Sequence, residues 1–119
     1  MSYNTVNPSH LPLDIEQFNA ITEGKSTHQE ELLKIFFYNA EECIVVMEHN
    51  CSGDTCTKWQ DASEELKNIS SNIGALELYK VCAIAEKIVS ASEYEKKKML
   101  ASIKLHTQRL RAFVRNTRY

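Results

Sequence analysis

The chain has 119 residues, 43% of them apolar and 25% charged, with a formal net charge of −2. These are ordinary globular values that exclude wholesale disorder and allow one core without staples. Three glycines and two prolines, Pro8 and Pro12, are too few for the turns of an all-β fold, which favours long helices.

Five helices are predicted in chain order. The first is short: Asp14 caps it, Ile15, Phe18 and Ile21 give a helical apolar spacing, and Gly24 ends it. The second starts at a capping box, Thr27 with Glu30. Its apolar stripe then reads Leu33, Phe36, Phe37, Ala40, Cys43, Ile44 and Met47 to about His49. Ile35, Val45 and Val46 fall outside that seam and leave apolar surface for a partner or for the first helix. After the polar break NCSGDTC at 50–56, the third helix buries Trp59, Ala62, Ser63, Leu66, Ile69, Ser70 and Ile73, and Gly74 punctuates it. The fourth carries Leu78, Cys82, Ala85 and Val89. Ser92 and Glu95 form a second capping box before the last helix, whose seam reads Met99, Ile103, His106, Leu110 and Phe113. The expected architecture is all-α: an antiparallel up-down four-helix bundle with a short extra N-terminal helix. Residues 1–119 form a single domain in which 1–11 are flexible.

No apolar run approaches the roughly 20 residues that span a bilayer. The segment MSYNTVNPSH lacks the basic-then-apolar pattern of a secretory signal. A cytoplasmic location follows as the default, with Cys43, Cys51, Cys56 and Cys82 as free thiols. Charge is uneven: residues 96–119 hold eight of the fourteen Lys and Arg and no acid. A helical scaffold whose basic last helix binds an anionic polymer or membrane is one reading. A solvated face balancing acidic neighbours is preferred, because no motif accompanies the charge, so neither nucleic acid nor membrane is expected as a partner.

Residues 62–86, ASEELKNISSNIGALELYKVCAIAE, carry the most specific pattern. Leu66, Lys67, Gly74, Ala75, Leu78, Cys82 and Glu86 stand in register with H-x-L-K-G-S-x-x-x-x-G-A-x-x-L-x-x-x-C-x-x-L-E. In this the chain resembles the histidine phosphotransfer domains over roughly residues 12–90, with Phe37 in the usual aromatic place. The departures fall at the centre of the motif: Glu64 stands at the phosphorylated histidine and Asn68 at the following glycine. The resemblance implies a helical bundle docking on response-regulator receiver domains, with a hybrid sensor kinase in the same relay. In that family an exposed imidazole exchanges phosphate with an aspartyl phosphate, since its free nitrogen is nucleophilic near neutral pH. A carboxylate replaces it only by forming an acyl phosphate, for which nothing here is arranged.

Glu64, Lys67, Asn68 and Ser71 share one helix side at steps of 3, 1 and 3. The expected role is therefore receiver binding through this face without relay, by a non-enzymatic monomer that needs no cofactor or metal. Glu64 brings about one negative charge against the −1.5 to −2 of a phosphoryl group, an incomplete imitation. Taken without the resemblance, a Glu–Lys pair on a helix surface is ordinary solvation and a few tenths of a kcal/mol of pairing.

The alternative is an active phosphoryl carrier through His49 or His106. His10 and His28 lie near helix starts without a flanking motif, and His106 sits on an apolar seam where a satisfied, half-buried histidine is the common case. His49, Cys51, Asp54 and Cys56 allow a metal or a Cys51–Cys56 disulfide, but their spacing is irregular for zinc. No Gly-rich phosphate loop, nucleophile elbow or H-E-x-x-H is present.

Overall fold

The computed structural model describes residues 11–52 and 56–117, with the backbone alone at Cys56. Its five helices are α1 (Ile15–Thr22), α2 (Ser26–Glu48), α3 (Cys56–Ile73), α4 (Leu76–Lys87) and α5 (Glu93–Thr117). No strand occurs among the described residues. The short α1 and the four longer helices pack into an all-α globule: α3 lies against α2 and α4, α5 against α4 and α2, and α1 touches α2 and α3. Of the stretch expected to be flexible, residues 1–10 lie outside the described residues. Leu11 is half-buried and Leu13 wholly buried, so packing begins before α1.

Each helix end has a chemical cause. Asp14 caps α1 as predicted, its carboxylate accepting the Gln17 N–H at 3.2 Å. The exit from α1 comes one residue earlier than expected. Glu23 is left-handed at φ 54 and Gly24 follows at φ 69, their N–H groups donating to Ala20 and Asn19. The capping box at Thr27 is a correction: α2 starts at Ser26 behind Lys25, which makes no side-chain cap. Ser92 does cap α5, accepting the Glu95 N–H at 3.2 Å.

Gly74 has two duties. Its φ of +89 suits the turn between α3 and α4, and a Cβ there would lie 3.2 Å from the Asp14 carbonyl oxygen. That close approach lets the Asp14 N–H donate to the Gly74 carbonyl at 2.8 Å, while Gln17 Nε2 donates to the Ser71 carbonyl at 2.8 Å. α1 is thereby bound over the C-terminal end of α3, through the Gly74 carbonyl and a second hydrogen bond to the Ser71 carbonyl, which also accepts the Gly74 N–H. On its other side, the buried Gln29 of α2 donates to Asn19 and to the Thr22 hydroxyl.

The core follows the predicted stripes of α2, α3 and α4, with Ile69 and Phe37 only partly covered. Val89, expected on the fourth helix, lies past the end of α4 at Lys87 and is partly covered too. Trp59 is fully buried and its indole N–H donates to the Ala85 carbonyl at 2.8 Å. The seam of α5 needs correction. Its buried residues are Lys96, Leu100, Ile103, Thr107, Leu110 and Val114, while Met99, His106 and Phe113 lie half-buried on its flank. Two polar side chains hide the true seam. Thr107 returns its hydroxyl to the Ile103 carbonyl, and the Lys96 ammonium lies 5.5 Å from the Trp59 ring centre.

Candidate functional site

The middle of α3 supplies the candidate face. Trp59, Ala62, Ser63, Leu66 and Ser70 turn inward, so helical geometry sends Glu64 and Asn68 outward, and both are exposed. Lys67 and Ser71 are half-buried at its edge. Lys67 does not stand free beside Glu64. It reaches α4 and pairs with Glu86 Oε1 at 2.6 Å, the two side chains being 23% and 19% exposed. The hydrogen bond to Glu86 holds the Lys67 ammonium above its ordinary pKa, and Glu64 adds a smaller attraction. At the far end the Ser71 carbonyl is taken by Gln17, so α1 borders the face there. The structure thus brings Glu64 and Asn68 together in solvent, commits Lys67 to a neighbouring helix and places Ser71 against α1.

The same geometry explains most of the shared sequence frame. Leu66, Ala75, Leu78 and Cys82 are buried, Gly74 makes the turn, and Lys67 and Glu86 form the interhelical pair. This frame is a packing pattern for α3 against α4. Positions 64 and 68 take no part in that packing and lie on the exposed side of α3. The Lys67–Glu86 contact was not anticipated, although both residues stood in the frame.

The other candidates fall apart spatially or chemically. His106 Nδ1 lies 2.8 Å from the Ser102 carbonyl and the ring is half-buried, so that nitrogen is engaged within its own helix. His49 and His28 are exposed at the end and near the start of α2, and His10 lies outside the described residues. Cys51 is buried with its thiol on the Met47 carbonyl at 3.3 Å, whereas Asp54 and the Cys56 side chain lie outside the described residues. Among the described residues no group of three or more His, Cys, Asp and Glu is placed to hold a metal ion. Cys43, Cys51 and Cys82 are free thiols, and burial pushes Cys43 and Cys82 up to about 12.

Much of the charge on α5 is answered within the fold. Lys97 pairs with Glu93 at 2.8 Å, Lys104 with Glu48, Arg109 with Glu77 at 3.5 Å and Arg111 with Glu41 at 3.3 Å. Arg111 also lies 4.3 Å over the Phe37 ring. No helix among the described residues is long and apolar enough to cross a membrane. Comparison with protein-family models, with curated proteins and with solved structures finds no match.

Proposed function

We propose that this chain is a receiver-docking module, an antiparallel up-down helical bundle built like a histidine phosphotransfer domain that has exchanged its acceptor for a carboxylate. It binds a response-regulator receiver domain through Glu64, Lys67, Asn68 and Ser71 and relays no phosphate, acting as a cytoplasmic monomer beside a hybrid sensor kinase. The observation that carries this reading is the open mid-helix position of Glu64 with Asn68 one turn on. A receiver gathers acidic groups around a divalent metal, so Glu64 approaches it favourably only when that cation is present. The Lys67–Glu86 pair leaves Glu64 as the less compensated charge on this face.

Phosphoryl transfer through His106 has less support, because that ring is half-buried and its Nδ1 already faces a carbonyl. Titration calorimetry against receiver domains of the same organism, with and without magnesium, tests the proposal. Magnesium-dependent binding that Glu64→Ala weakens is the expected result. Absence of heat with every receiver overturns it, and acid-labile label passing from a phospho-receiver to this chain favours the carrier instead.

A further inference from the structure

A groove of about 700 Å³ runs between α2 and α3, on the side of Glu64 that leads toward the start of α3. Its apolar surface comes from Tyr38, Val45 and Val46 of α2 over a floor of Cys43 and Ala62. Tyr38, Val45 and Val46 are 65%, 46% and 40% exposed, an open apolar stripe on a helix whose opposite side already fills the core. Four carboxylates line the same groove, Glu41, Glu42, Asp61 and Glu65, against one cation, Lys58. Glu41 meets Arg111, but no ion pair among the described residues engages Glu42, Asp61 or Glu65.

The geometry points to a docking groove for a basic amphipathic helix of another protein, a conclusion that does not rest on the receiver reading. The occupant's charge is set by the rim: an acidic or neutral segment would bury these carboxylates without counter-charge, while Lys or Arg beside an apolar stripe pairs with them. Two copies of this chain joined groove to groove would press the same acids together, which excludes the simplest self-pairing. The occupant's form is set by the walls. Tyr38 to Val46 spans about 12 Å, a little over two helical turns. The rim offers carboxylate acceptors, so an extended segment would find few donors for its own carbonyls, whereas a helix satisfies them internally. Apolar residues at i and i+7 would meet Tyr38 and the adjacent Val45 and Val46, with i+3 or i+4 over the Cys43 and Ala62 floor between them.

The test uses a labelled synthetic peptide of about four helical turns, leucine at those spacings and lysine elsewhere, followed by fluorescence anisotropy against the full chain. Saturable binding is expected, weaker at higher salt. It should fall about tenfold with Val46→Asp and with the double change Glu42→Lys and Glu65→Lys, and stay unchanged with Leu105→Asp on α5. All these positions are exposed, and Tyr38→Ala replaces Val46→Asp if circular dichroism shows that variant unfolded. The proposal fails if the peptide does not bind, if a leucine–glutamate peptide binds equally, or if the groove variants bind as well as the parent. Sedimentation velocity of the protein alone completes the test. A monomer at all concentrations supports the proposal, and self-association lost in Val46→Asp assigns the groove to a second copy and overturns it.

Discussion

Replacing the two turn glycines by alanine separates backbone strain from close packing. Gly24 and Gly74 both have positive φ, +69 and +89, but a Cβ at Gly24 meets nothing within 4 Å while one at Gly74 lies 3.2 Å from the Asp14 carbonyl oxygen. Gly24→Ala should therefore cost only the left-handed penalty of an L-residue, about 1 kcal/mol. Gly74→Ala adds a clash with backbone that is relieved by lifting α1. That motion weakens the Asp14 N–H bond to Gly74 and the Gln17 bond to Ser71, each worth about 1 kcal/mol net. The expected totals are about 1 kcal/mol for Gly24→Ala and about 3 kcal/mol for Gly74→Ala. For a chain of this length they correspond to falls in Tm of roughly 4 °C and 12 °C. Urea unfolding followed by circular dichroism, with thermal melts beside it, gives both values. Equal shifts for the two variants would refute the claim that α1 is held by close approach at Gly74.

Three further outcomes are expected. Glu64→His combined with Asn68→Gly should accept acid-labile phosphate from a phosphorylated receiver that binds it, while Glu64→Ala, at an exposed site, should change stability by less than about 0.5 kcal/mol; urea melts and label transfer measure the two. Trp59→Phe removes the donor to the Ala85 carbonyl and part of a fully buried ring, so unfolding free energy should drop by about 2–3 kcal/mol. Burial raises Cys43 and Cys82 from 9.0 to about 12, so above pH 9 the unfolded chain loses thiol protons that the folded chain keeps. Their contribution is fully present below pH 9 and is lost as pH climbs toward 12, at about 1.4 kcal/mol per pH unit for each thiol at most. Urea unfolding at pH 8, 9 and 10 should show this decline, and a double Cys43→Ala and Cys82→Ala variant should flatten it.

Helix number and class were legible because apolar residues repeat at helical spacing and Asp14, Gly74 and Ser92 mark ends by known chemistry. On α5, Ile103 and Leu110 lie on the seam as expected, but Met99, His106 and Phe113 each fall one position short of the buried Leu100, Thr107 and Val114. The other seam residues, Lys96 and Thr107, look like surface residues. Their polar atoms are satisfied in place, one over Trp59 and one on the Ile103 carbonyl, and no residue count reveals that. Thr27 and Glu30 have the spacing of a capping box, yet the helix begins before them, since Lys25 already supplies the carbonyl that Gln29 uses. The exposure of Glu64 and Asn68 followed from the inward positions of Leu66 and Ser63. The diversion of Lys67 to Glu86 did not, because it depends on how α4 packs across α3. The acidic groove was half visible: Val45 and Val46 stood outside the α2 seam, but the carboxylates facing them from α3 come together only in the packed chain.

The seat of α1 also limits what α3 offers to other molecules. Ser71 lies about 10 Å along the helix from Glu64, and from there Asp14 and Gln17 roof the final turn. A visitor settling on Glu64 meets a wall on that side and open helix on the other. Shortening the chain to Gln17 would take the wall away, lengthening the accessible strip and altering which visitors fit.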